Sequence, residues 1–275
     1  MTDLGLYEFQ QSQAKRALEL SEGLCQGGWV DLENCGWYHG SWTLLRVLGL
    51  VSNPYWHFQF FSSRVAKLNA QDNALVLACA DASMAHLVLL QSDCYLTVAD
   101  ICDTPLVLSK ELAEELGRDI TCQKMDILNG SIDRRFELIV TDAFLTRFRS
   151  IEKMRVLSNV SSLLQPNGRF VTTVRMGGKI NDADGYMSGG DRKRWFVERA
   201  IARFNELGGV PGFEETIVKE LAQNYMRSME SYRFSDLSEI KYFLKAAELK
   251  LLEYEEVIVP GESEESIYLR MEIGK

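Results

Sequence analysis

Two spacings of apolar residues alternate along the chain. Residues 3–26 and 36–68 read as helices. In the second stretch Trp42, Leu45, Arg46, Leu48 and Gly49 surround an apolar stripe that gives out near Asn53 and Pro54. The pattern then changes. Residues 74–80 are wholly apolar, which suits a strand buried on both faces of a parallel sheet, and a helix over 83–90 follows. The alternation repeats, with strands over 95–101, 120–125, 136–141 and 169–175. Helices fall at 104–116, closed by Gly117, and at 151–164, stopped by Pro166 and Gly168. This order predicts right-handed βαβ units and a doubly wound sheet.

The ending differs. A helix over 238–249 precedes strands over 251–259 and 266–273, joined through Pro260, Gly261, Glu262 and Ser263. Ile267, Leu269, Met271 and Ile273 alternate with Tyr268, Arg270 and Glu272, the period of two that marks a hairpin. The predicted fold class is therefore α/β: a doubly wound, mostly parallel seven-stranded sheet ending in an antiparallel hairpin, with N-terminal helices and a helical insertion after strand five. The expected division is an N-terminal helical cap over 1–70, a core over 71–175 and 236–275, and the insertion over 176–235. Trp195, Phe196, Ile201, Phe204 and Leu207 mark one inserted helix; Phe213, Ile217, Leu221, Tyr225 and Met229 mark the other. The five glycines of 176–190 predict a lid there, with Tyr186 and Met187 as its apolar anchors, against a solvent-exposed connector.

Composition narrows the classes. The 275 residues are 46% hydrophobic and 25% charged, enough for one large α/β domain with additions. A formal net charge of −9 argues against a nucleic-acid partner, which calls for a basic face. The expected partners are a small-molecule substrate and, allowably, a second copy of the chain as a homodimer. No secretory apolar region opens the chain and no apolar run reaches the ~18 residues of a membrane span, so a cytoplasmic location without membrane contact is expected. Six cysteines, at 25, 35, 79, 94, 102 and 122, form no Cys-x-x-Cys pair and read as buried reduced thiols. No His, Cys and Asp set has metal-ligand spacing, so no metal is expected.

In doubly wound sheets, ligands bind outside the carboxyl ends of the strands where strand order reverses. The first such end carries Ala78, Cys79, Ala80, Asp81 and Ala82. Roughly 20 residues on, strand two ends in Asp100 and Ile101, where an acid can accept hydrogen bonds from both ribose hydroxyls of an adenosine. Strand three ends at Met125, Asp126 and Ile127, within reach of an adenine amine. Strand four ends at Thr141, Asp142, Ala143 and Phe144, beneath the position of a reactive group.

Several runs together resemble the class I, Rossmann-like S-adenosylmethionine-dependent methyltransferases, over roughly 70–175 and 236–273. Val98-Ala99-Asp100-Ile101 with Thr104-Pro105-Leu106 is similar to that family's acidic motif after strand two. Leu163-Leu164-Gln165-Pro166-Asn167-Gly168 is similar to its turn before strand five, and 235–249 to its last helix. The resemblance implies S-adenosylmethionine as cofactor, held by Ala78, Cys79, Ala80, Asp100, Ile101, Met125, Asp126, Ile127 and Thr141. It also implies methyl transfer to oxygen or nitrogen of a small molecule, of the kind met in biosynthesis. One departure stands out: the family's first motif is glycine-rich, and here Ala80, Ala82 and Met84 occupy those places. The alternatives are a non-methylating reaction on the same cofactor, such as rearrangement, elimination or cyclisation, or a non-catalytic homologue serving as a binding partner.

Methyl transfer from a sulfonium asks little beyond alignment and, for some acceptors, removal of a proton. His39 is the favoured base among His39, His57 and His86, against a structural role for the same ring. Asp142 is a substrate-holding or proton-accepting group, or else a turn cap. Tyr38, Trp42, Phe144, Arg175 and Tyr186 are the candidate substrate contacts, with Arg147 and Arg149 as further anion clamps.

Overall fold

The computed structural model describes residues 3–25, 34–177, 190–259 and 267–275. Tyr186 and Met187, most of the expected lid, and the turn residues Pro260 to Ser263 lie outside them.

Seven strands form one sheet: β1 (Asn73–Leu77), β2 (Tyr95–Asp100), β3 (Ile120–Lys124), β4 (Phe136–Thr141), β5 (Leu164–Arg175), β6 (Lys250–Ile258) and β7 (Ile267–Gly274). Their order is β3-β2-β1-β4-β5-β7-β6, with β1 to β5 parallel and β7 antiparallel to both neighbours. This is the predicted fold class. The central strands are buried on both faces over most of their length, which is why β1 and β4 read as largely apolar runs, broken in β4 by the half-buried Glu137. Edge strand β6 exposes Lys250, Glu253, Glu255 and Glu256 alongside Leu252, Tyr254 and Ile258, and these charges blunt it against pairing with another chain.

Helices α3 (Phe58–Val65), α4 (Ser83–Gln91) and α5 (Asp103–Glu115) cover one face of the sheet. On the other lie α6 (Ser150–Leu163) and α9 (Leu237–Ala246). A third apolar cluster joins α1 (Asp3–Leu24) and α2 (Gly36–Val47) to the inserted helices α7 (Gly190–Glu206) and α8 (Glu215–Ser228). It also includes Ala80 of the loop after β1, so this helical layer sits on the carboxyl ends of the strands. Every residue of α2 except Tyr38 is buried, as an almost wholly enclosed helix requires.

Two readings need correction. The stretch 36–68 is not continuous helix. α2 stops at Val47 because Gly49 turns left-handed at φ 71, letting the Leu50 N–H reach the Leu45 carbonyl at 2.9 Å. A 3-10 turn at Pro54–His57 and α3 follow. Strand five begins at Leu164, not 169. Asn167 at φ 66 and a register shift opposite Phe136 and Leu138 absorb the Pro166-Asn167-Gly168 turn inside it.

Candidate functional site

Strand order reverses at β1, which has β2 on one side and β4 on the other. Two cavities open there, of about 460 Å³ and about 310 Å³, and they share Tyr38, Leu77, Ala78, Ala80, Phe144 and Arg147. Both fall within the roughly 300–1,000 Å³ of small-molecule sites.

The smaller cavity gathers the ends of the first three strands. Ala78, Ala80, Asp100, Ile101, Met125, Asp126 and Ile127 line it together with His39. Asp100 closes β2 and is 6% exposed, and one of its carboxylate oxygens accepts the Cys102 N–H at 2.9 Å. Burial pushes its carboxyl above the usual range, opposed by the His39 charge. Asp126 spends its carboxylate on its own turn, accepting from Leu128 N–H at 2.9 Å and from Asn129 Nδ2 at 2.7 Å.

The loop after β1 bends sharply without glycine. Ala78 and Ala80 both stand at φ 53, the left-handed region that costs a side-chain-bearing residue roughly 1–2 kcal/mol. The alanines therefore keep the backbone path that a glycine would take. Ala82, at φ −81, needs no such allowance and opens α4.

The larger cavity is framed by a buried charge network that the sequence reading missed. Arg46 projects from α2 with a 3% exposed side chain, 2.5 Å from Asp81 and 3.6 Å from Asp142, and donates to the Ser52 carbonyl at 2.8 Å. Asp81 follows β1 and Asp142 follows β4, so one guanidinium ties together the two loops at the switch point. Asp142 accepts further from Ser52 Oγ at 2.7 Å and Thr173 Oγ1 at 2.6 Å. An arginine inside an apolar helical stripe was the available signal, since a buried charge must find a partner.

Tyr38, Trp42, Cys79, Thr141, Asp142, Phe144 and Arg175 all line this cavity. Tyr38 stacks obliquely on Trp42 at 4.6 Å, and Phe196 lies parallel to Tyr225 at 5.4 Å, so one wall is aromatic. Among the described residues, the Thr141 hydroxyl and the Trp42 indole N–H are buried polar groups with no protein partner. Arg147 lies over the Tyr38 ring at 5.3 Å and donates to the Glu230 carbonyl. Arg149 is instead engaged with the Tyr232 hydroxyl.

The histidines divide. His57 accepts from Arg270 Nε at 3.0 Å, and His86 Nδ1 lies 2.7 Å from the Tyr55 hydroxyl; burial pushes both rings down to about 4. His39 is 4% exposed, with Nδ1 3.6 Å from Cys25 Sγ. Burial works against its charge, yet hydrogen bonds with Cys102 and Cys35 and the Asp100 carboxylate push it up to about 10. The Cys102 thiol is held well below its usual range by hydrogen bonds from Cys25 and Cys35 and then by His39.

No family model and no curated protein matches this chain in sequence. Solved structures match it in fold. A S-adenosylmethionine-dependent methyltransferase of Clostridium acetobutylicum aligns with a TM-score of 0.53 at 14% identity, over 80% of this chain and 90% of that one. The 1,6-didemethyltoxoflavin N1-methyltransferase of Burkholderia thailandensis was solved with 1,6-didemethyltoxoflavin and S-adenosylhomocysteine. It aligns with a TM-score of 0.53 at 17% identity, over 79% and 77% of the two chains. A Rhodobacter sphaeroides protein provisionally designated a zinc-dependent alcohol dehydrogenase aligns with a TM-score of 0.53 at 14% identity, over 86% and 97%. At these identities the likeness is one of fold, and the fold is that of the class I methyltransferases, as the resemblance in sequence implied.

Proposed function

We propose that the chain binds S-adenosylmethionine across the two cavities and transfers its methyl group to an oxygen or nitrogen of a small molecule. The observation that carries this reading is Asp100: a buried carboxylate at the end of β2, fixed by the Cys102 amide, on a cavity that runs into a larger one at the switch point. The donor set fits the cofactor. Asp100 is an acceptor for a ribose diol, Met125 and Ile127 offer apolar walls for a base, and the unpartnered Thr141 hydroxyl and Trp42 indole N–H await polar groups. When bound, the cofactor supplies an electrophilic methyl group.

The residues of this chain do the rest. Ala78 and Ala80 bend the backbone where the two cavities meet, and Cys79 lines the larger one. Asp142, with both oxygens already accepting, is a positioning group for the loop after β4 rather than a proton acceptor. His39, with Nδ1 3.6 Å from Cys25 Sγ, is engaged with the thiols of Cys25, Cys35 and Cys102 and is a positioning group rather than the base. The aromatic wall of Tyr38, Trp42, Phe196 and Tyr225, with Phe144 on the same cavity, suits a planar apolar acceptor, and Arg175 an acidic substituent on it. Tyr186 remains assigned to the acceptor side by sequence alone.

Isothermal titration with S-adenosylmethionine and its demethylated product, followed by transfer of labelled methyl to a panel of aromatic hydroxyl and amine compounds, tests this. Binding without methyl loss across the panel would favour a non-methylating reaction. No binding of either compound by folded protein would sink the cofactor assignment.

A further inference from the structure

Cys25, Cys35, His39 and Cys102 place three sulfurs and one ring nitrogen within 4.8 Å of one another. None of the three sulfurs lines either cavity, so the proposed methyl transfer leaves the group unexplained. The residues come from three places: the end of α1, the first turn of α2 and the turn between β2 and α5. Cys35 and His39 are four apart, so they face the same way on α2.

Three of the separations come close to those of a coordination shell, and all fall within 4.8 Å. Cys25 Sγ lies 3.5 Å from Cys102 Sγ and 3.6 Å from His39 Nδ1, and Cys35 Sγ lies 3.6 Å from Cys102 Sγ. With Zn–S of about 2.3 Å and Zn–N of about 2.0–2.1 Å, a tetrahedron has edges of roughly 3.8 Å between sulfurs and about 3.6 Å from sulfur to nitrogen. Thiols are weak donors and acceptors, so hydrogen bonding alone is a poor reason to press three together in a buried site. The surroundings suit thiolates. Cys35 is the N-cap of α2 and Cys102 the N-cap of α5, so both sulfurs sit at positive helix ends. The Thr104 hydroxyl is 3.3 Å from Cys25 Sγ, placed to donate to it from outside the shell.

We propose that Cys25, Cys35, His39 and Cys102 bind one zinc ion as a closed structural site that fastens the N-terminal helices to the β2–α5 turn. Four protein ligands leave no open position for a substrate, which separates this site from a catalytic one. Binding the ion releases the thiol protons of Cys25, Cys35 and Cys102 and any proton on the ligating His39 nitrogen to solvent, and gives α1 and α2 an anchor beside Asp100. This reverses the expectation of no metal drawn from cysteine spacing.

Elemental analysis of the full chain, purified reduced and without chelator, tests the site directly and needs neither S-adenosylmethionine nor activity. About one zinc per chain is expected. Exchange with cobalt(II) should give thiolate-to-metal charge-transfer absorption, and Cys35→Ser and Cys102→Ser should each lose most of the metal while Cys122→Ser keeps it. Should those variants fail to fold, the wild-type chain still answers: alkylation of Cys25, Cys35 and Cys102, read by peptide mapping, should be slower with zinc than after chelation, while that of Cys79, Cys94 and Cys122 should not change. Protein with all six thiols reduced that neither carries nor takes up zinc would overturn the proposal. So would a Cys25–Cys102 disulfide as the principal state of the isolated chain, since that marks a redox pair instead.

Discussion

Replacing Ala80 by glycine isolates the strain in the loop after β1. Ala80 is 7% exposed and stands at φ 53. Relief of the left-handed conformation returns roughly 1–2 kcal/mol. Against it stand about 0.5–1 kcal/mol for the greater freedom of glycine in the unfolded chain and about 0.8 kcal/mol for the buried methyl. The sum is near zero. Ala85, fully buried within α4 and absent from the left-handed region, receives no relief, so Ala85→Gly should cost about 1–2 kcal/mol. Urea unfolding of the ligand-free proteins, with unchanged m-values, reads the difference. Equal losses in the two variants would show that no strain resides at Ala80. If strain is relieved there, Ala80→Gly should also keep or modestly tighten affinity for S-adenosylmethionine.

Other consequences can be checked together. Asp100→Ala should weaken S-adenosylmethionine by about 1.5–3 kcal/mol, the worth of a charge-assisted pair, and by more than any histidine change; unaltered calorimetric affinity in a folded variant refutes the ribose assignment. Arg46→Ala should cost about 3–5 kcal/mol because Asp81 and Asp142 lose their buried partner, and Arg46→Met with both acids changed to Asn should recover part of it in the same unfolding assay. His57 and His86, pushed down to about 4 by burial, favour folding in their neutral form. Their contribution is whole above the unfolded value of about 6.5 and is lost as pH falls toward 4. His57→Gln should flatten the decline in unfolding midpoint over that range, and an unchanged slope would count against it.

The sheet was legible because its physics is local. Strands buried on both faces are largely apolar, so β1, β2 and β4 announced themselves, and the alternation in β7 gave its antiparallel pairing. Strand ends then located Asp100, Asp126 and Asp142 without any contact being known. Tertiary arrangements were not legible. Arg46 looked like an interruption in a helical stripe, because its partners lie 35 and 96 positions away. The end of α2 was missed because Gly49 was counted into the stripe rather than as its terminator. Cys25 and Cys102 are 77 residues apart, and only the packing of α1 and α2 over the sheet brings their sulfurs to 3.5 Å.

The short turn from Asp100 to Cys102 serves two masters. Its carboxylate faces the cavity, its sulfur faces the N-terminal helices, and the Cys102 amide grips the Asp100 carboxylate. Whatever holds the sulfur in place therefore also orients the oxygen, and by thermodynamic linkage the dependence runs equally in both directions. A nucleoside affinity measured on chelator-treated protein would then report the occupancy of the thiol group as much as the strength of the ribose contact, and a bound nucleoside should slow the escape of the metal.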